Sequence, residues 1–178
     1  MAAKTNRKPP LVPEPGVEVI DAAGRTLLVM PREQVFRQGL RHRAVLVCLR
    51  NTQGGIFLHK KASAGDGGET WFPAVHGLVL AGESRHDAAI RLLGVELGIS
   101  GLEMFEAARF ALSASGPAEN VETTLFLTAK TSALPRLSEP EVHEGMFVDQ
   151  EEFKAILRDY PHMLPPLWSQ ILPYFFSG

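Results

Sequence analysis

The spacing of the apolar residues changes near the middle of the chain, at Ser84. Before this point the apolar segments are short and are separated by turn residues, as is typical of strands. From Ser84 to Leu97 the apolar residues recur at helical spacing, and Gly98 is placed to end the helix. Strand-like segments then return before two C-terminal helices. This order predicts an α/β (α+β) protein in which helices cover both faces of a mixed sheet.

Turn and capping residues predict where the elements begin and end. The turn residues Asp21–Gly24 separate two strands, and the turn Asn51–Gly55 separates two more, which we expect to form a hairpin. Ser84–Asp87 and Asp149–Glu152 both fit a capping box at a helix start. The predicted strands are 17–20, 26–30, 43–50, 56–61, 105–111, 121–129 and 145–148, and the predicted helices are 31–38, 84–97, one opened by Asp149, and 166–172.

The chain of 178 residues has the size of one domain, and its net charge of −2 gives no electrostatic case for nucleic acid as a partner. Residues 1–16 are basic and proline-rich, so we expect a flexible tail before a single domain at 17–178. The longest apolar run, Ala44–Leu49, is far shorter than the roughly 18 residues that span a membrane. With no secretory signal and Cys48 as the one cysteine, we expect a cytoplasmic protein.

The segment from Gly77 to Ile99 carries the most chemical information. Five residues separate Gly77 from Glu83, seven separate Glu83 from Arg91, and the segment ends on Glu96, Gly98 and Ile99. Positions 92, 95 and 96 share one face of the predicted helix. Three carboxylates on such a face would bind divalent cations. In this chain Leu92 and Val95 occupy two of those positions, and Glu96 occupies the third.

This segment resembles the Nudix box, with Leu92 and Val95 as its two departures. The resemblance implies the Nudix fold, an α/β/α sandwich, and hydrolysis of a diphosphate linked to another moiety with Mg or Mn. By the same resemblance, Glu96 holds the metal and acts in catalysis. Gly77, Glu83, Arg91 and Gly98 are the structural residues of the box, and Glu83 pairs with Arg91 to brace the loop before the helix.

The remaining candidate residues lie outside the helix. Related hydrolases often take an additional carboxylate ligand or base from the region of Glu141 and Glu144, and the spacing does not select between these two residues. Lys61 occupies a position where the family has a basic residue and could contact phosphate, or it could be a solvated charge. His76 could bind substrate or serve as a hydrogen-bonded structural residue. The aromatic residues Trp71, Phe72 and Trp168 favour a core role over stacking on a ligand.

Within the superfamily, the chain most resembles isopentenyl-diphosphate isomerase and the bacterial hydrolases related to it. The segments that carry this resemblance are 40–44, 58–61, 82–84, 87–88 and 141–142. The isomerase site implied by this resemblance is incomplete. His76 occupies the position of the catalytic Cys, and Leu78 occupies that of a metal-binding His. Val121 lies near the position of the catalytic Glu, with Glu119 and Glu122 beside it. His42 is the metal histidine that is kept. Cys48 lies within an apolar strand, where a small buried and unreactive side chain is expected.

Three functions follow in order of preference. The first is a Nudix-type hydrolase acting on a small-molecule diphosphate, with weakly bound Mg or Mn held by Glu96. The second is a Nudix-fold protein that binds a diphosphate or a protein partner without turnover, and the third is an isomerase. A homodimer is one option for its assembly. In each case we expect Ala89, Leu93 and Leu97 to pack into the core while Glu96 faces a cleft.

Overall fold

The computed structural model describes residues 15–62, 69–73, 75–112, 120–136, 144–164 and 167–176. Most of the predicted tail, residues 1–14, therefore lies outside the described residues. Within the described part of the chain, no helix is long and apolar enough to cross a membrane. The elements in chain order are β1 (Val17–Ile20), β2 (Thr26–Met30), α1 (Arg32–Arg37), β3 (His42–Cys48), β4 (Ile56–Ala62), β5 (Glu69–Phe72), β6 (Val75–Leu78), α2 (Arg85–Leu97), β7 (Met104–Leu112), β8 (Val121–Thr128), β9 (Gly145–Val148), α3 (Gln150–Asp159) and α4 (Leu167–Phe175).

The larger sheet is mixed, and β3 lies at its centre. Its order is β2-β1-β3-β8-β7, with β6 also paired to β3. Strand β3 runs parallel to β8 from His42↔Val121 to Cys48↔Leu127, and antiparallel to β6 from Ala44↔Leu78 to Val47↔Val75. Since β3 is apolar on both faces and has partners on both edges, it fixes the middle of the molecule.

The prediction that β3 and β4 form a hairpin is wrong. The turn at Asn51–Gly55 forms, but β3 and β4 meet only at its base, where Arg50 bridges Ile56 and the Phe57 amide donates to the Leu49 carbonyl. Both edges of β3 are already occupied by other strands, so β4 diverges into a second sheet of order β5-β4-β9.

Two apolar cores lie on opposite faces of this framework. Alternate residues of β3 supply them: Val45 and Val47 pack with α2, whereas Leu46 and Cys48 pack with α3 and α4. The same alternation in β4 sends Phe57 to the first core and Leu58 to the second. The structure therefore confirms an α/β/α sandwich built on a mixed sheet.

Helix α2 begins and ends at the residues that the sequence indicates. The Ser84 hydroxyl accepts a hydrogen bond from the Asp87 amide at 3.0 Å, and Gly98 ends the helix in the left-handed conformation at φ 63°. The expected capping box is only half formed, because the Asp87 carboxylate accepts from the Ser84 hydroxyl at 2.6 Å. At α3 the box is complete, with Asp149 and Glu152 each bonded to the other's backbone amide.

Candidate functional site

Glu83 and Arg91 form the paired contact that the sequence predicts. The Arg91 Nε and Nη2 atoms donate to the two oxygens of the Glu83 carboxylate at 2.7 and 2.8 Å. Arg91 also donates to the Leu78 carbonyl at 2.9 Å, and the Leu80 amide donates to Glu83 at 3.0 Å. These bonds, above all the one from Arg91, hold the pKa of the Glu83 carboxyl below its usual range. The pair thus joins the loop after β6 to the middle of α2.

We expect the loss of either partner to lower the free energy of unfolding by about 1 to 3 kcal/mol. Arg91→Met should cost more than Glu83→Gln, because it leaves a carboxylate that is only 15% exposed without its cation. Urea unfolding at neutral pH measures both changes. Arg25→Met is the matched control, since Arg25 also pairs with a carboxylate but is 81% exposed and should contribute little. Equal stability of all three variants would contradict a supporting role for the pair.

Gly77 lies on β6 at a position where α2 packs closely against the strand. A Cβ atom on Gly77 would lie 2.6 Å from Cδ2 and 2.9 Å from Cδ1 of Leu92. Leu92 itself is only 8% exposed and belongs to the core shared by α2 and β3. The glycine therefore makes room for the Leu92 side chain, which occupies the first of the two apolar positions on the candidate metal face.

The three positions on the candidate metal face differ widely in their surroundings. Leu92 is buried, Glu96 is half-buried and Val95 is 59% exposed. Ala89, Leu93 and Leu97 pack into the core as expected. The expected cleft for Glu96 stays a prediction, because Glu96 does not line either of two cavities of about 280 and 490 Å³ formed by described residues. Among the described residues, no group of three or more His, Cys, Asp or Glu side chains is arranged to hold a metal.

A network of charged side chains surrounds the start of α2. The Arg43 guanidinium donates to Glu18 at 2.7 Å and lies 3.9 Å from Glu122, whose carboxylate also pairs with Arg85 in the first turn of the helix. The remaining Glu18 oxygen accepts from the Gly82 amide at 3.2 Å. This network was not predicted from the sequence, where the one signal for it is Arg43 near the start of an otherwise apolar strand. It ties β1, β3 and β8 to the loop that carries Glu83.

The other candidate carboxylates and cations lie near β4 and β9. Glu144 is exposed and pairs with Lys60 at 3.4 Å, and the Lys60 amide donates to the Glu144 carbonyl. The backbone of Lys61 lies in β4 opposite Thr70, but its side chain is outside the described part of the chain. Glu141 also lies outside the described residues. The chain leads towards it from Arg136, whose amide donates to the Leu97 carbonyl at the end of α2.

His76 and Gly77 lie on opposite faces of β6, because side chains alternate along a strand. Gly77 faces Leu92 on α2, whereas His76 pairs across the strands with Leu46, which belongs to the other core. The His76 ring stacks on Phe72 at 5.8 Å, and Phe72 meets Trp168 edge-on at 6.3 Å. The structure therefore does not place His76 on the side of the sheet occupied by α2. Trp71 and Trp168 are buried in the core, as expected.

His42 and Cys48 are both enclosed by the fold. The Nδ1–H group of His42 donates to the Leu40 carbonyl at 2.8 Å, and its ring meets Phe36 edge-on. Burial lowers the pKa of His42, although the bond to Leu40 opposes this shift. Burial likewise raises the pKa of the Cys48 thiol far above its usual range. Neither group is prepared for the roles that isomerase chemistry would need.

The lowered pKa of His42 makes stability depend on pH. The folded state binds the proton less well than the unfolded state, whose pKa is near 6.5. The stability due to the neutral ring is therefore complete above about pH 6.5 and is lost as the pH falls through the folded-state pKa. Urea unfolding between pH 7.5 and pH 5 should show this loss. His42→Asn keeps a donor for Leu40 and should reduce the slope, while the exposed-residue control His162→Asn should keep the wild-type slope.

Comparisons with known proteins identify the family. The NUDIX domain matches residues 40–167, which is well over half of the chain. The uncharacterized Nudix hydrolase SCO1686 of Streptomyces coelicolor is 37% identical over 91 residues, or 48% of each protein, so this match spans about half the length of that relative. The uncharacterized Nudix hydrolase PA4841 of Pseudomonas aeruginosa is 29% identical over 144 residues, covering 80% of this chain and 83% of the relative.

Solved structures show the same fold. DR0079 from Deinococcus radiodurans superposes with a TM-score of 0.71 at 16% identity, covering 91% of this chain and 99% of that protein. A MutT structure from work on Aliivibrio salmonicida and Vibrio cholerae gives a TM-score of 0.59 at 24% identity, covering 76% and 97%. The matched residues, the braced loop before α2 and the sandwich architecture agree, and the chain belongs to the Nudix domain family.

Proposed function

We propose that this protein hydrolyses a small-molecule diphosphate linked to another moiety, using a divalent metal. The observation that carries the proposal is the bonded pair of Glu83 and Arg91 in a chain of the Nudix domain family. This pair fixes α2 against β6, and α2 carries Glu96 in its last turn. The names of the relatives, which are Nudix hydrolases, support the same class of reaction.

Nudix hydrolases generally use Mg²⁺ or Mn²⁺. The proposal therefore requires that the side chains on this helix face can bind such a metal. The described residues supply one carboxylate on the helix face, Glu96, beside the apolar Leu92 and Val95. Mg²⁺ is often held by one or two protein carboxylates together with substrate phosphates and waters, so this set fits a metal that arrives with its substrate. When bound, the metal would neutralise phosphate charge and lower the pKa of water.

We assign the supporting roles to residues from β4 and from the segment before β9. Glu141 or Glu144 would provide the second carboxylate, as ligand or base, and Lys61 would contact a phosphate oxygen. The support is that Arg136, five residues before Glu141, is bonded to the end of α2, while Glu144 is bonded to β4 next to Lys61. The two described ends of this segment are thus bonded to Leu97, the residue after Glu96, and to Lys60, the residue before Lys61. His76, on the other face of β6, would serve the substrate moiety rather than the metal.

The direct test is release of phosphate from a panel of nucleotide and isoprenoid diphosphates, with Mg²⁺, with Mn²⁺ and with a chelator. We expect metal-dependent release from at least one member of the panel. The panel tests subgroup as well as function, since a preference for isoprenoid diphosphates would support the isomerase-like subgroup. Isomerisation of the carbon skeleton would be visible in the same samples by NMR, but the enclosed His42 argues against it.

Weak metal binding to the free protein is a second expectation. One carboxylate contributes little to coordination, and Mg²⁺ gives up its water reluctantly. Calorimetric titration of Mg²⁺ into the protein should therefore give little heat alone and a saturable signal when a non-hydrolysable diphosphate is present. Tight binding without any ligand would mean that further carboxylates join Glu96.

A binding protein without turnover is the second candidate. The observation that favours it is the character of Leu92, which fills the space beside Gly77 as a core residue and leaves no polar group there. In this case the helix face of positions 92, 95 and 96 would not bind a metal. Diphosphate binding measured by calorimetry, with no release across the whole panel, would distinguish this function from hydrolysis.

A further inference from the structure

A cavity lies beside the turn that joins β3 and β4, and no residue of α2 is among the described residues that line it. Its volume is about 280 Å³. The cavity is lined by the β3–β4 turn, by Lys130 just after β8, by the start of α3 and by the end of α4. The polar residues on its wall that bear on the argument are Arg50, Gln53, Lys130, Asp149 and Gln150.

Arg50 is a buried cation that has no counterion among the described residues. The residue is only 8% exposed. Its Nε atom donates to the Thr128 carbonyl at 2.8 Å, and its backbone amide donates to the Thr128 hydroxyl at 3.0 Å. Within the described part of the chain, neither Nη atom has a hydrogen-bond acceptor and no carboxylate pairs with the guanidinium. Burying a charge costs free energy unless it is paired, so this guanidinium at the cavity wall calls for an anion.

The surroundings of Arg50 add to the positive potential of the cavity. Lys130 lies across the turn, with Nζ 3.5 Å from the position of a Cβ atom on Gly54. Helix α3 begins at Gln150, so its first amide groups and the positive end of its dipole lie at the cavity. Asp149 is the one acidic residue among the described residues of the lining, and its carboxylate already accepts from the Glu152 amide at 2.8 Å. Two cations against one carboxylate leave a net charge of +1.

We propose that this cavity binds the phosphate group of a small molecule. The planar guanidinium of Arg50 presents two Nη atoms in the fork geometry that suits phosphate oxygens, and Lys130 supplies a second cation. A phosphate group is smaller than the 280 Å³ cavity, which leaves room for an organic part against Phe175 and Phe176. The site is separate from the helix face that carries Glu96 and does not depend on the proposed hydrolysis.

Calorimetric titration of inorganic phosphate into the full-length protein tests the proposal. The titration is done with a chelator present, so that no metal can hold phosphate beside Glu96. We expect saturable binding with one phosphate per chain, and no binding of acetate at the same ionic strength. Lys130→Met should weaken phosphate binding by about tenfold, since it removes a charge-assisted hydrogen bond. Arg50→Lys should weaken it as well, because an ammonium keeps the charge but loses the fork.

Two control variants separate this cavity from other sources of binding. Lys154→Met removes a cation of α3 that pairs with Glu151 and does not line the cavity, so phosphate binding should not change. Glu96→Gln should also bind phosphate as the wild type does. Lys130 is exposed, so its variant should fold and carry the test even if the Arg50 variant does not. Absence of saturable binding, equal binding of acetate, or binding that survives Lys130→Met would each overturn the proposal.

Discussion

Replacing Leu92 by Glu should lower the free energy of unfolding by about 3 to 5 kcal/mol, although the resemblance to the Nudix box would place a carboxylate there. Leu92 is 8% exposed, and both of its methyl carbons pack against Gly77. A Glu at this position would lose these contacts and place a carboxyl group in the apolar core shared by α2 and β3. Urea unfolding of the purified variant measures the loss.

Val95→Glu is the matched variant on the same helix face. Val95 is 59% exposed, so the change should alter stability by no more than about 0.5 kcal/mol. The new carboxylate would be next to Glu96 in the last turn, and Mn²⁺ or Mg²⁺ should bind more tightly than in the wild type. Calorimetry and the rate of phosphate release measure this gain. Similar stability losses in the two variants would contradict the difference in burial, and an unchanged metal affinity in Val95→Glu would argue against a metal at this helix face.

The contrast between Leu92 and Val95 also shows how far the sequence could predict the site. Spacing alone puts positions 92, 95 and 96 on one side of a helix, and that is how α2 is built. Spacing does not show how the helix is rotated against the sheet. Packing decides that rotation. Because Leu92 packs against Gly77, position 92 faces the core and Val95 remains at the surface.

Local signals predicted the elements better than their partners. Asp149 and Gly98 mark a helix start and a helix end through bonds between residues close in sequence, and both were predicted. The pairing of β3 with β8 joins residues about 80 positions apart, so no local pattern around Asn51–Gly55 indicates it. Strands β5 and β6 were not predicted as strands, because β5 begins with the polar pair Glu69 and Thr70 and β6 contains His76 and Gly77 in place of apolar residues. The burial of Arg50 was missed for a related reason, since its partner Thr128 lies in β8, 78 positions along the chain.

Glu96→Gln should reduce metal-dependent hydrolysis by about 100-fold or more. The proposed site has one carboxylate on the helix face, and the metal contributes several kcal/mol of transition-state stabilisation. Gln has nearly the same shape and keeps an oxygen, but it loses the negative charge that holds the cation. The rate of phosphate release under saturating metal and the best substrate of the panel is the measurement.

The fold should be unaffected, because Glu96 is half-buried in a helix whose core contacts come from Leu93 and Leu97. Glu103→Gln is the matched control: it removes an exposed carboxylate from the loop between α2 and β7 and should keep the wild-type rate. Undiminished turnover in Glu96→Gln would refute the proposed metal site, but it would not affect the assignment to the Nudix domain family. Because phosphate binding at Arg50 is measured without metal, a loss of hydrolysis together with unchanged phosphate binding in Glu96→Gln would show that the two sites act separately.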